Sequence, residues 1–353
     1  MMESVSFSYT TRSSYSNFSN VHSNAVSIVQ EGVAAAAYSF RTAINIVILP
    51  ILCVMGLAGN IINIIVLRRY GFKDTNIMLL ASLSFNDLVL TLLHTIIKAG
   101  DIIKLVDVEA ALRVIAFSAI YLNAPHQILV AINVCHVTTI AVERAIAVCF
   151  PFQASRLFTA HRIKWSIFVI YVFPFSMLTP AFFLYEHQWI YSPKLNISIA
   201  IAVETQFYTT NKESILIYLS VVAGNLFSTV VPLVIIASCV IVMLKLLQRR
   251  FSFPDKTSGK KGLGQKGMKM LFSVCVATIL ISVPGIILLN YCSFSHLTSG
   301  DLYDLLMDTS RMLCQLHAST NFIIYVTMSN KFYKAYKDLL GCSGEIKKII
   351  IFF

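Results

Sequence analysis

Several polar side chains that could bind an ion or exchange partners lie inside long apolar stretches of the sequence. Asp87, Asn60 and Asn321 each stand well within such a stretch, and the adjacent pair Glu143 and Arg144 comes near the end of another. Burying an ionisable group among apolar residues costs free energy unless the group is paired or coordinates an ion. Each residue alone is compatible with a structural hydrogen bond, so its meaning depends on the elements that position it.

The composition predicts that these elements are membrane-spanning helices. Of the 353 residues, 57% are hydrophobic and 13% are charged, whereas a soluble domain is nearer half apolar and a quarter charged. Crossing a bilayer requires about 20 mostly apolar residues. The stretches that qualify are Ala43–Leu67, Ile77–Ile97, Leu112–Cys149, Trp165–Leu184, Ile215–Leu247, Met268–Tyr291 and Leu305–Met328. The sequence therefore predicts an all-α membrane protein with seven transmembrane helices, within a domain spanning residues 41–340.

The two ends of the chain differ from this domain. Residues 1–40 are rich in Ser, Asn and Tyr and hold few large aliphatic residues, which is typical of a disordered tail. This segment has no basic start followed by an apolar core, so we expect the first span to act as its own insertion signal. Residues 341–353 are predicted to form a short cytoplasmic tail.

The distribution of charge predicts the orientation in the plasma membrane. Lys and Arg concentrate in the loops after the first, third, fifth and seventh spans, whereas the other loops are neutral or slightly acidic. Because short basic loops stay in the cytoplasm, the N-terminus is predicted to be extracellular. The glycosylation sequons at Asn17 and Asn196 fall on the same outer side. The net charge of +11 therefore indicates the inner membrane surface rather than nucleic acid. The basic segment 245–269 suits either anionic lipid or a protein partner.

Together and in this order, the buried residues resemble the rhodopsin-like family of G-protein-coupled receptors. The matching positions are Gly59-Asn60, Leu83 to Asp87, Glu143-Arg144-Ala145, Trp165, Pro232, Pro284, and Asn321 with Tyr325. The resemblance covers about residues 41–342, and segments 71–77 and 142–151 look most like invertebrate, notably molluscan, chemosensory and neuropeptide-like receptors. It implies a short amphipathic helix from Asn330 to Leu340 after the seventh span. Cys342, just beyond that helix, is a candidate palmitoylation site.

The resemblance implies a receptor that passes an extracellular signal to a heterotrimeric G protein. Its switch residues would be Glu143, Arg144, Asn321, Tyr325 and Pro284. Arg144 would pair with Glu143 in the closed bundle and meet the G protein after release. Pro284, followed by Gly285, would give the sixth helix a hinge.

A polar cluster is expected in the core of the bundle. Its predicted members are Asn60, Asp87, Asn133, His317 and Asn321. The resembled family holds a sodium ion in this region, although Asn133 and His317 differ from the usual ligands there. A sodium ion is therefore one expectation and a cluster without an ion is the other. No other cofactor or metal site is expected.

The ligand pocket is expected in the outer third of the bundle. The candidate residues are His94, Lys98, His126, Gln127, Asn225, Arg311 and Gln315. His126 stands where amine receptors carry an aspartate, which argues against a simple biogenic amine and favours a peptide or a small chemosensory molecule. Lys98 and Arg311 suit an anionic group, although they could instead pair with Asp101 and Asp308.

Departures from the family pattern leave other classes of protein to consider. Phe322 replaces the proline of the seventh helix, Ser282 stands where the sixth helix usually has a Trp, and cysteines for the family's outer disulfide are lacking. A transporter or channel of seven helices is the alternative. Such a protein would require a hydrophilic stripe along several helices, whereas the sequence predicts only a central polar cluster. An enzyme is not expected, because no catalytic pair such as HExxH occurs in the spans.

Overall fold

The structure is a computed structural model. It describes residues 32, 34–72, 74–193, 197–252, 273, 276–281, 283–285, 287, 288, 291, 300–328 and 330–340. Several predictions lie outside the described residues: the tails 1–31 and 341–353, most of the basic segment 245–269, and residues Asn17, Asn196, Ser282 and Cys342.

The described helices follow the predicted order of spans, and their ends are called outer and inner according to the predicted orientation. Five of them are long and apolar enough to cross a membrane: Ala34–Tyr70, Thr75–Ile103, Val108–Cys149, Ala160–Phe183 and Leu226–Lys245. A shorter apolar helix, Val276–Gly285, lies where the sixth span is predicted. The seventh span is Asp301–Met328, whose outer half carries charged residues, and helix Asn330–Leu340 follows it as the resemblance implies.

The remaining elements refine these bounds. The fifth span continues through Ser252 and is preceded by short helices Gln206–Thr210 and Lys212–Leu216. Helix Pro151–Leu157 lies in the inner loop between the third and fourth spans. The first span begins at Ala34, further outside than the predicted start at Ala43, so its first turns extend beyond the apolar stretch.

The inner connection between the first two spans is fixed by local backbone chemistry. Gly71 ends the first span with a φ of 74°, a left-handed conformation that suits glycine, and its N–H donates to the carbonyl of Arg68. Asp74 then caps the second span, because its side chain accepts a hydrogen bond from the N–H of Asn76 at 2.9 Å. This cap places Asn76 in the first turn at the inner end.

A β-hairpin in the loop before the fifth span was not predicted from the sequence. Its strands are β1, Tyr185–Ser192, and β2, Ile197–Glu204, which pair antiparallel with Tyr185 opposite Glu204. Strand β2 packs against the outer end of the third span. At the base of the hairpin, Glu204 accepts a hydrogen bond from Lys212 at 2.6 Å, which raises the pKa of that ammonium. Strand β2 is thus held by packing on the third span, and the ion pair fixes the end of the hairpin to a helix that follows it. No disulfide joins this loop to the third span.

The main apolar core lies in the inner half of the bundle and extends to the last helix. Phe332 and Tyr336 of Asn330–Leu340 are buried with residues of the first, second, third and seventh spans. The hydroxyl of Tyr336 donates to the side-chain oxygen of Asn63 in the first span. This amphipathic helix is therefore attached to the bundle by both apolar packing and a buried hydrogen bond.

Phe322, which replaces the expected proline, packs between the first span and the last helix. A Cβ atom added to Gly59 would lie 2.8 Å from the Cβ of Phe322. The Phe322 ring also meets the Tyr336 ring edge-on, with 5.2 Å between centroids. The seventh span runs as one helix from Asp301 to Met328, because residue 322 keeps its backbone N–H.

We predict that Gly59→Ala destabilises the protein, because the new methyl group overlaps the side chain of Phe322. Overpacking of this kind costs about 1–3 kcal/mol, and the midpoint of thermal unfolding of the detergent-solubilised protein should fall by several degrees. Gly32→Ala is the matched control, since no atom of the described residues lies within 4 Å of its added Cβ. Equal midpoints for the two variants would contradict the packing role of Gly59.

Candidate functional site

Arg144 is held at the inner end of the bundle by two partners. Its Nη2 donates to Glu143 Oε1 at 2.7 Å and to the side-chain oxygen of Asn76. Glu143 is buried and the Arg144 side chain is nearly so. The arginine therefore bridges the third span to the start of the second span.

Asn76 is a partner that the sequence analysis did not identify. The signal was present, because Asp74 precedes it by two residues in the spacing of a helix cap. The bridge is only partly satisfied: Arg144 Nε and Glu143 Oε2 are buried and have no hydrogen-bond partner within the described part of the chain. A group offering acceptors to Arg144 could therefore compete with Asn76.

The other predicted switch residues lie along the seventh and sixth spans. Tyr325 is fully buried, and its ring centroid lies 5.7 Å from that of Phe332 in the amphipathic helix. Pro284 is exposed near the end of helix Val276–Gly285. Among the described residues, neither Tyr325 nor Pro284 forms a hydrogen bond with Arg144.

Asp87 is the centre of the polar cluster in the core. Its Oδ1 accepts from the amide of Asn133, and its Oδ2 accepts from the amide of Asn321 at 2.7 Å. The carboxylate thus joins the second, third and seventh spans while fully buried. The amide of Asn60 donates to the carbonyl of Ala318 at 3.0 Å, which joins the first span to the seventh.

His317 makes its hydrogen bond elsewhere than at the predicted polar cluster. Its Nε2 lies 2.7 Å from the hydroxyl of Thr278 in the sixth span. Two turns further out, the hydroxyl of Ser310 donates to the carbonyl of Gly285 at 2.9 Å. A Cβ on Gly285 would lie 3.3 Å from that of Leu313, so these helices approach closely here. The sixth and seventh spans are therefore joined by hydrogen bonds at two levels.

Four of the predicted ligand-binding residues already have hydrogen-bond partners within the protein. His94 Nδ1 lies 3.2 Å from His126 Nε2, and both rings are buried between the second and third spans. Gln315 donates to the hydroxyl of Thr91 at 3.0 Å. Asn225 donates to the carbonyl of Val221 in its own helix. Gln127 is half-buried.

Lys98 and Arg311 line an outer cavity of about 250 Å³ between the first, second and seventh spans. Its lining residues are Arg41, Asn45, Lys98, Asp101, Tyr303, Asp304, Met307, Asp308 and Arg311. The cavity therefore contains three cations and three carboxylates. Arg41 and Asn45 were not predicted, because they lie at the edge of the apolar stretch that marks the first span.

Asp308 binds most of the polar groups of this cavity. Its Oδ1 accepts from Lys98 at 2.7 Å, and its Oδ2 accepts from Asn45 at 2.9 Å and from Arg41 at 3.2 Å. Arg311 is more distant, with 3.9 Å between its Nη1 and Asp308 Oδ1. One buried carboxylate thus links the outer ends of three spans.

The two ion pairs considered from the sequence both occur, but neither is the shortest in the cavity. Lys98 lies 3.3 Å from Asp101, one turn away on its own helix, and closer to Asp308 on another helix. Arg41 completes the network through Asp304 at 3.0 Å. Tertiary pairing therefore dominates over the local pairing that sequence spacing suggested.

Comparison with known proteins places the chain in a family. A family model described as "7 transmembrane receptor (rhodopsin family)" matches residues 59–325. The G-protein coupled receptor homolog Q2/3L of Sheeppox virus (strain KS-1) is 24% identical over 297 residues, covering 79% of this chain and 68% of that protein. Growth hormone secretagogue receptor type 1 of Mus musculus is 26% identical over 302 residues, covering 82% and 79% respectively. The Homo sapiens receptor of that name is 29% identical over 144 residues, covering 39% and 37%. The chain belongs to the rhodopsin family of seven-transmembrane receptors.

Proposed function

We propose that this chain is a G-protein-coupled receptor that converts the binding of an extracellular ligand into activation of a heterotrimeric G protein. The observation that carries the proposal is the partly satisfied bridge of Arg144 to Glu143 and Asn76 at the inner end of the bundle. In the closed state the bridge ties the third span to the second. Its release would present a guanidinium, with five donors in a planar fork, to backbone carbonyls of an entering partner.

The contacts between the sixth and seventh spans supply the coupled motion. Helix six can swing away from the bundle only if the hydrogen bonds Thr278–His317 and Ser310–Gly285 break or shift. Both involve neutral groups, and each contributes about 0.5–1.5 kcal/mol. A ligand that binds the open state more tightly by a few kcal/mol is therefore sufficient to shift the population.

The ligand is proposed to be a peptide or a small chemosensory molecule and not a simple biogenic amine. His126, at the position of the amine-binding aspartate, is buried against His94 and offers no carboxylate. Two of the relatives are named as receptors for a growth hormone secretagogue, which supports an extracellular chemical signal. The finer likeness to molluscan receptors stays a prediction.

We predict that Glu143→Gln raises agonist-independent signalling, because it removes the charged partner of Arg144 while keeping the size of the side chain. A loss of roughly 1 kcal/mol from the closed state corresponds to about a fivefold increase in the open fraction. Recruitment of a promiscuous G-protein reporter in cells expressing the chain measures this change. Arg144→Ala should abolish signalling in the same assay.

Glu109→Gln provides the matched control, because Glu109 also pairs with an arginine, Arg113, but at the exposed outer end of the third span. Its basal signalling should equal that of the wild type at equal surface expression. Full signalling by Arg144→Ala would exclude the proposed switch, as would unchanged basal activity in Glu143→Gln.

We also propose that Asp87, Asn133 and Asn321 hold a sodium ion. The residues fit such an ion, because a carboxylate and amide oxygens are ligands for hard cations. In addition, Asn321 Oδ1 is buried beside Asp87 without a hydrogen-bond partner in the described chain. A bound cation would neutralise the buried carboxylate, while Asn60 and its bond to Ala318 keep the first span against the cluster. His317 is not included, since its Nε2 is engaged by Thr278.

The sodium site predicts a salt-specific stability. The purified receptor should unfold at a higher temperature in sodium chloride than in N-methylglucamine chloride of equal ionic strength, and Asp87→Asn should lose this difference. Asp101→Asn, which removes a carboxylate from the outer cavity, should keep it. Identical midpoints of the wild type in the two salts would rule the site out.

The orientation is proposed from the distribution of basic residues, and epitope tags at the two ends of the chain test it. An epitope tag before Met1 should be stained on intact cells, whereas a tag after Phe353 should require permeabilised cells. Asn17→Gln and Asn196→Gln should each remove one glycan and increase gel mobility, as digestion with a peptide N-glycosidase would. A tag at the C-terminus that is stained on intact cells would reverse the proposed topology.

A further inference from the structure

We propose that the outer cavity between the first, second and seventh spans binds a small zwitterion, an α-amino acid, with its carboxylate on Arg311 and its ammonium on Asp304. This inference deepens the proposed receptor function and rests on it for its signalling role, but not for the binding itself. The argument starts from how charge is arranged within the cavity.

Cations lie deeper in the cavity than the carboxylates at its rim. The side chains of Lys98 and Arg311 are 11% and 26% exposed, whereas those of Asp101 and Asp304 are 35% and 47% exposed. Asp308, with its side chain 5% exposed, lies deepest and is held by Lys98 and Arg41, so an entering molecule meets the rim carboxylates first and the Arg311 guanidinium below them. A ligand with an ammonium group outward and a carboxylate inward matches this order.

The balance of charge also favours a neutral ligand with two poles. Arg41, Lys98 and Arg311 are offset by Asp101, Asp304 and Asp308, so the described lining residues carry no net charge. A lone anion or a lone cation would leave one uncompensated charge in a partly buried site, which is unfavourable. A zwitterion adds one group of each sign and leaves the balance unchanged.

Arg311 is the cation whose pairing is weakest. Lys98 and Arg41 approach Asp308 to 2.7 Å and 3.2 Å, whereas Arg311 stays 3.9 Å away. A ligand carboxylate could therefore form a bidentate pair with this guanidinium without displacing Asp308 from its closer partners. Asp308 keeps Lys98 and Arg41 occupied, and this leaves Arg311 as the anion-binding group. The ligand ammonium would share Asp304 with Arg41, which lies 3.0 Å from its Oδ2.

The spacing and volume of the cavity fit a single amino acid. The Arg311 guanidinium lies level with Asp308, and Asp304 is one helical turn further out, about 6 Å along the axis. The charged groups of an α-amino acid, each with one hydrogen bond, can span this separation. The volume of about 250 Å³ lies below the roughly 300–1,000 Å³ of pockets for drug-sized ligands.

Binding can be tested on the full-length receptor purified into lipid nanodiscs. Thermal unfolding is measured with each of the proteinogenic α-amino acids, and for each amino acid that binds, with its N-acetyl and primary-amide derivatives. At a concentration of about ten times Kd, a binding amino acid should raise the midpoint by roughly 3 °C. Each derivative lacks one charge and should bind at least tenfold more weakly.

Two variants assign the groups. Arg311→Gln should weaken binding of the amino acid by tenfold or more but leave binding of its amide unchanged, since the amide has no carboxylate. Asp304→Asn should likewise weaken the amino acid but not its N-acetyl derivative. Arg113→Gln removes an exposed charge outside the cavity and should leave all three affinities unchanged. The comparison of ligands on the wild type remains decisive if a variant fails to fold.

Several results would overturn the inference. No midpoint shift with any amino acid would do so, as would equal binding of the amino acid and its capped derivatives. Stronger binding of dipeptides than of the parent amino acids would show that the site takes a peptide end instead. The signalling assay separates this failure from that of the receptor function. A raised signal in Glu143→Gln with no amino-acid binding would reject only the zwitterion site, whereas amino-acid binding with no G-protein recruitment in any variant would reject only the coupling.

Discussion

The cost of burying a charge inside a membrane bundle governs this structure. A carboxylate at that depth needs hydrogen-bond donors or cations as partners. Its own helix cannot provide enough of them, so the partners come from neighbouring helices. Asp87 finds its partners on the third and seventh spans, and Asp308 finds them on the first and second. Each buried acid therefore determines which helices meet at its level, because its hydrogen-bond donors come from those helices.

The chain repeats this solution at three depths. Glu143 and Asn76 hold Arg144 at the inner end, Asp87 collects two amides in the middle, and Asp308 collects cations at the outer end. The second span contributes to all three. One continuous helix, Thr75–Ile103, therefore carries a residue of each network, from the outer end of the bundle to the inner end.

The sequence predicted the features that depend on local patterns and missed those that depend on distant contacts. Apolar stretches predicted the spans. The resemblance predicted a polar cluster around Asp87, in which the structure joins Asn133 and Asn321 to Asp87 but pairs His317 with Thr278. By contrast, Lys98 was weighed against Asp101 on its own helix, whereas its closer partner, Asp308, is 210 residues away. The hairpin was missed for a related reason: strand β2 is stabilised by packing on the third span, and strand propensity depends on such context.

Two departures from the family pattern, the missing outer disulfide and Phe322, replace a fixed constraint by noncovalent contacts. The hairpin is held over the third span by packing, where the family uses a covalent bond, and the ion pair of Glu204 and Lys212 ties its end to the helix before the fifth span. Thr278 and His317 supply a hydrogen bond between the sixth and seventh spans, and Phe322 supplies packing in place of a proline kink. Hydrogen bonds and ion pairs of this kind contribute about 1 kcal/mol each, so several must change together for the bundle to open. In the proposed receptor, control of the open state is therefore distributed over several weak contacts, at the hairpin and along the seventh span, instead of being concentrated in one kink or one bond.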